Sequence, residues 1–260
     1  MTDDLLYEVR DGIAQVTLNR PQARNALTPE MYDGLAGAAA EVAADPAIRA
    51  LVIRGAGDKA FAAGSEISQF LAFKDGADGV AYEQHLDNVL TDLERCPKPV
   101  IAAISGACTG GGAAIAAVCD LRIGTRSTRV GVPVARTLGN CLSIASLSRF
   151  VSLIGAARTT EMMLTARLIE ADEAKALGFL NEVVDTAEDL DARVEELARS
   201  VATLAPLTLR VTKEQMRRMR AATIANISDD DLLALCYGSA DFKQGVEAFV
   251  ARRAPEWKGR

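Results

Sequence analysis

The feature that most constrains this chain is an uncharged run from Val100 to Cys119, VIAAISGACTGGGAAIAAVC. It is long enough to cross a bilayer as a helix. Yet Ala, Gly, Ser and Thr dominate it, and Gly110-Gly111-Gly112 would interrupt any helix through its middle. The run therefore reads as a buried strand, a glycine turn and the start of a buried helix, with no membrane as partner. A strand apolar on both faces belongs inside a parallel sheet covered by helices.

The flanking sequence fits that frame. Leu6–Val9 and Ile13–Asn19 alternate around Asp11-Gly12, which predicts a β-hairpin. Thr28 and Pro29 open a helix whose apolar face carries Met31, Leu35, Ala38, Ala39 and Val42. Ala50–Ile53 is a short strand running into the turn Gly55-Ala56-Gly57, the stretch after Ser65 to about Gly79 reads as a surface excursion, and Ala81–Leu93 has helical spacing. Strand, helix, strand in this order argues for parallel pairing. Beyond Gly139 helical periodicity dominates, interrupted by one strand at Asn181–Val184. The expected organisation is an α/β core over residues 1–200 and a helical region over 201–260, both parts of one functional unit.

Bulk properties exclude several functions. With 29 basic and 35 acidic residues the formal charge is −6, so no basic footprint for nucleic acid exists. Cys96, Cys108, Cys119, Cys141 and Cys236 lack CxxC spacing, and His85 is the sole histidine, so no zinc pattern is present and no metal is expected. An acidic start, MTDDLLYEVRDG, without a following apolar segment is unlike a signal peptide. Reduced thiols in a cytoplasmic protein are the resulting expectation.

Two segments are suited to chemistry. In Ile104–Ala114 a strand runs through glycines into a helix, whose free N–H groups favour a developing negative charge. The segment is no Walker loop, because Gly112 stands where that motif needs Lys. Phe61-Ala62-Ala63-Gly64-Ser65-Glu66-Ile67 is a second small-residue segment at a strand end. Two such ends could offer two donors to one oxygen, as acyl chemistry requires.

These residues, with Asn19-Arg20-Pro21, Arg24-Asn25-Ala26-Leu27, Cys119-Asp120-Leu121-Arg122, Leu164–Arg167, Gly178–Asn181 and Gly245–Phe249, resemble the crotonase (enoyl-CoA hydratase/isomerase) superfamily in order along essentially the whole chain. The resemblance implies a crotonase-like α/β spiral of ββα units, a C-terminal helical region building a homotrimer or a hexamer of two trimers, and an acyl-CoA thioester as substrate, with no cofactor beyond its CoA moiety. It places the oxyanion amides at Ala63 and Gly111. It lines the CoA and substrate site with Arg24, Ala26, Ala62, Gly64, Ser65, Glu66, Ile67, Gly110 and Val134, and lets Arg252 or Lys258 reach phosphate.

The departures bear on the reaction. Hydratases of this family carry two glutamates that hold and activate water. Their positions here are Ala114 and Val134, and the usual glycine-rich turn is replaced by Arg136–Cys141. Glu83, Asp87 and Thr91 share a helix face, and Asp87 lies near the base of the acyl-CoA dehalogenase members. Asn140-Cys141 resembles their Gly-Asn-Asp with the nucleophilic carboxylate replaced by a thiol. Asp87 and Cys141 are thus the candidate catalytic side chains. Each has a plainer reading: Glu83 and Asp87 as solvated helix charges, His85 as a surface residue, Cys141 as a packing thiol. The expected function is an acyl-CoA enzyme that stabilises a thioester enolate without efficient hydration. The alternatives are isomerase, decarboxylase or thioester hydrolase chemistry, or a non-catalytic acyl-CoA-binding homologue.

Overall fold

The structure, a computed structural model, describes residues 3–260. Strands β1 (Leu5–Arg10) and β2 (Ile13–Leu18) form the expected hairpin, in register from Leu5–Leu18 to Arg10–Ile13. Asp11 and Gly12 both take positive φ, which matches the twist of a two-residue hairpin turn. Helix α1 (Pro29–Ala44) begins at Thr28, whose hydroxyl accepts the Met31 N–H at 3.3 Å. Its buried face carries every predicted apolar residue, and also Tyr32.

Three ββα turns follow. The first is β3 (Ala50–Gly55), β4 (Ala60–Ala62) and α2 (Gly76–Arg95), with a 3-10 segment at Ile67–Ala72 between the last two. The second is β5 (Val100–Ile104), β6 (Ala107–Thr109) and α3 (Gly111–Val118). The third is β7 (Leu121–Thr125), β8 (Arg129–Gly131) and the short α4 (Val134–Thr137). After them come α5 (Ile144–Thr165), β9 (Ile169–Glu170), α6 (Ala171–Ala176), β10 (Glu182–Val184), α7 (Ala187–Ala202), α8 (Pro206–Ala222), α9 (Asp230–Tyr237) and α10 (Ala240–Val250). The first strand of each turn joins a sheet of order β1-β2-β3-β5-β7-β10, and the second joins a smaller sheet, β4-β6-β8-β9. Pairing is parallel at β2–β3–β5–β7–β10 and at β4–β6–β8. This is the predicted spiral. The uncharged run is β5, β6 and α3, and no helix among the described residues is long and apolar enough to cross a membrane.

The main core lies between the two sheets and α1, α2 and α3. The other face of the large sheet is covered by α7, through Leu190, Val194 and Ala198. Arg122 is buried with its guanidinium on the carbonyls of Phe179, Ala116 and Cys119, so it closes the C-terminal end of α3 with a cation. The Asp120 carboxylate accepts the Val100 N–H at 2.7 Å.

Two expectations need correction. Residues 66–79 are not a surface excursion. Phe70 is buried in an aromatic cluster with Phe73, Tyr82, Tyr237 and Phe242, and α2 already starts at Gly76, capped by Asp75. Helix α5 is continuous apart from a break at Gly155, where φ is +76°. Past Gly139 there is also a second short strand, β9, antiparallel to β8.

Candidate active site

Two strand ends meet as predicted, and the Arg24–Leu27 segment ties them together. Arg24 and Asn25 both have positive φ. The buried Asn25 amide holds this turn by accepting the Arg20 N–H and donating to the Ala60 and Ala56 carbonyls. Leu27 then runs parallel to Ser65: its N–H donates to Gly64 O at 2.9 Å and its carbonyl accepts from Glu66 N at 2.7 Å. Both bonds leave the Ser65 N–H pointing the other way.

This pairing corrects the assignment of Ala63. Its N–H donates to Arg24 O at 3.0 Å, so it is not free to grip a substrate oxygen. The Ser65 N–H has no acceptor among the described residues, and neither has Gly111 N–H, at the first turn of α3. The Ser65 hydroxyl lies 3.2 Å from where a Cβ on Gly111 would sit, so the two amides are close neighbours. Gly110 starts the helix at φ +53°, and a Cβ on Gly112 would overlap the Ala62 carbonyl. The glycines therefore allow α3 to press its N-terminus against the end of β4.

Above Gly111 stands a hydroxyl cluster. Ser65 Oγ is 2.9 Å from Tyr32 Oη and 2.6 Å from Tyr82 Oη. Burial raises both phenols well above their usual pKa, so they are neutral hydroxyls. A Cβ on Gly111 would overlap the Tyr32 hydroxyl. Sequence reasoning did not find this cluster, because its members come from α1, the loop after β4, and α2. One signal was present: Tyr32 continues the helical spacing of Leu35, Ala39 and Val42.

Of the predicted lining residues, Arg24 is exposed, and Ala26, Ser65, Glu66, Ile67 and Gly110 are half-buried around the two strand ends. Ala62 and Gly64 are buried. Glu66 pairs with Arg20 at 3.1 Å, which braces the loop after β4. Ala114 is 1% exposed and Val134 8%, so the two positions where the resemblance calls for carboxylates are packed with apolar groups. Arg252 and Lys258 are exposed near the C-terminus, and Arg136 is exposed on α4.

The candidate catalytic side chains take unexpected environments. Asp87 is not a solvated charge: it pairs with the fully buried Arg149 at 2.8 Å and accepts from Ser146 Oγ at 3.2 Å. That engagement leaves it poorly placed as a free base. Cys141 is held as a thiol, its pKa pushed far up by a hydrogen bond with Cys236 and by burial. His85 is half-exposed and pairs with Asp33 at 3.1 Å.

Glu83 is the surprise. It is 2% exposed, although its helix position suggested a solvated charge. Tyr237 Oη donates to its Oε1 at 2.5 Å and Ser143 N–H to its Oε2 at 3.2 Å. Asn140 Nδ2 donates to the same Tyr237 oxygen at 3.0 Å. Burial pushes the carboxyl up to about 7.

Comparison with known proteins agrees with this architecture. The model of the family described as enoyl-CoA hydratase/isomerase matches residues 8–260. The chain is 30% identical to the short-chain-enoyl-CoA hydratase of Clostridium acetobutylicum over 98% of its own length and 97% of that protein. A crystal structure of an enoyl-CoA hydratase/carnitine racemase from Magnetospirillum magneticum is 34% identical, with a TM-score of 0.81 over 100% of this chain and 97% of that one. Methylmalonyl-CoA decarboxylase complexed with 2S-carboxypropyl-CoA is 26% identical and superposes at a TM-score of 0.89, covering 100% of both chains.

Proposed function

The chain is an enzyme of the enoyl-CoA hydratase/isomerase family, and from that premise we propose that it binds an acyl-CoA thioester with its carbonyl oxygen between the N–H groups of Ser65 and Gly111. The observation that carries this reading is the pair of free, adjacent amides at the start of α3 and the end of β4. Two preorganised donors stabilise the negative charge that develops on a thioester oxygen as it becomes an enolate. The dipole of α3 adds to them. Arg24, Ala26 and the loop from Ala62 to Ile67 line the CoA side, and the Tyr32, Ser65 and Tyr82 hydroxyls face the acyl side.

Efficient hydration is not part of this reading. Adding water across an enoyl double bond needs groups that orient and deprotonate it. Ala114 and Val134 cannot do so. The purified protein is expected to bind butyryl-CoA by calorimetry and to hydrate crotonyl-CoA negligibly. Robust hydration would sink the reading.

A second reaction is favoured by the same apolar positions. Loss of carbon dioxide from a 2-carboxyacyl-CoA needs the enolate to be stabilised, and no base to start it. The close superposition on a methylmalonyl-CoA decarboxylase supports this reading. Carbon dioxide release from methylmalonyl-CoA, measured in parallel, separates it from the first.

The family resemblance also leads us to assign a homotrimer or hexamer in the cytoplasm. Leu207, Val211, Met216 and Met219 on α8 are large apolar side chains more than half exposed, which supports an assembly surface.

A further inference from the structure

We propose that Glu83, held by Tyr237, is the group that moves protons at the acyl site, in place of the carboxylates missing at Ala114 and Val134. The proposal rests on the acyl-CoA reading above. It follows from where Glu83 is and from what does not accompany it.

The carboxyl sits on α2 next to Tyr82, whose hydroxyl bonds Ser65, the residue supplying one of the two free amides. From the other direction it accepts the N–H of Ser143, in the loop that leads on from α4, and α4 begins at Val134. Glu83 thus bridges the amide side of the site and the segment from which the family's second carboxylate is lost.

A buried carboxylate with a purely structural role is normally paired with a cation. Its neighbours on α2 follow that rule: Asp87 pairs with Arg149, and Glu94 with Arg149 and Arg220. Glu83 has no such partner among the described residues. The groups facing it are Tyr237 and Asp229 at the two ends of α9, Asp87 and Tyr82 on its own helix, Tyr32 on α1, and Cys141 and the Ser143 N–H before α5. All are neutral or acidic. An unpaired buried carboxyl of this kind exchanges its proton near neutral pH, which is what a shuttle needs.

The step balances within the site. The Cα–H bond of the acyl group breaks and its proton goes to a Glu83 carboxylate oxygen. The electron pair moves into the Cα–carbonyl bond, and the carbonyl oxygen becomes the enolate oxygen held by Ser65 and Gly111. Protonated Glu83 then returns the proton to Cα, or to Cγ where the enolate is conjugated. Tyr237 is a positioning residue: its O–H bond stabilises the ionised carboxylate and fixes its direction.

The test is deuterium incorporation into butyryl-CoA in D2O, followed by mass spectrometry, with thioester binding measured separately by calorimetry. Glu83→Gln keeps an acceptor for Tyr237. It is expected to slow exchange about a hundredfold or more while the Kd stays within about threefold. In the intact protein exchange should rise with pH through about 7. Tyr237→Phe should move that midpoint upward, a shift that loss of folded protein alone would not produce. Glu83→Gln exchanging at the wild-type rate overturns the proposal. So does wild-type protein that binds butyryl-CoA and exchanges nothing. Protein that binds no thioester at all removes the acyl-CoA reading, and this proposal with it.

Discussion

At the scale of single residues, the helix face Glu83–Asp87–Thr91 divides into two chemistries that spacing could not separate. Asp87 meets Arg149, whereas Glu83 meets a phenol and an amide. Replacing Arg149 with Met should destabilise the fold by about 3–5 kcal/mol, since it leaves Asp87 without its buried cation and Glu94 with Arg220 alone; urea unfolding measures this. Asp87→Asn should lower stability and leave turnover of bound substrate unchanged, and a selective loss of kcat would restore Asp87 as a catalytic group. Glu83 gives a pH signature. Its folded pKa of about 7 lies above the ordinary 4.5, so the fold favours the neutral form. The associated stability is fully present below about 4.5 and is lost as pH rises through about 7, amounting to at most about 3 kcal/mol. Unfolding curves at pH 5 and pH 8 should show that loss for the wild type and none for Glu83→Gln.

At the scale of elements, the junction of β4, β6 and α3 is the part of the fold most sensitive to added atoms. Gly112→Ala would drive a methyl group into the Ala62 carbonyl. The expected destabilisation is about 1–3 kcal/mol, with a fall of several degrees in Tm by calorimetry. Thioester affinity should fall as well, because the Gly111 amide is carried on the same turn. Thr28→Ala removes the cap of α1 at about 1 kcal/mol, and should leave the site's chemistry intact because Tyr32 is held from inside the core. Element identity was legible from sequence wherever apolar patterning marks burial, on one face as in α1 or on both as in β5. The segment 66–79 was not legible. Its Phe70, Phe73 and Gly79 are explained by contacts with Tyr237 and Phe242, which lie far along the chain.

For the whole molecule, the proposed trimer or hexamer predicts a particle about three or six times the 27.5 kDa chain mass by light scattering. Met219→Lys on exposed α8 should shift it toward the monomer. The sequence by itself determined an α/β core with parallel pairing, since apolar periodicity and glycine placement are local properties that dictate strands, turns and helix starts. The spiral of ββα turns was legible only as what the crotonase resemblance implies. The sequence also holds Ala114 and Val134 at the two positions where that resemblance implies carboxylates. It located the amide site only to within two residues. Whether Ala63 or Ser65 offers the free N–H depends on how Arg24–Leu27 pairs with that loop, and pairing register is a property of two segments brought together. Tertiary structure alone decided that Glu83 is buried without a cation among the described residues while Asp87, one turn away, is neutralised. Charge environment at those positions comes from α5, α9 and the Asn140–Ser143 loop, none of which is near them in sequence.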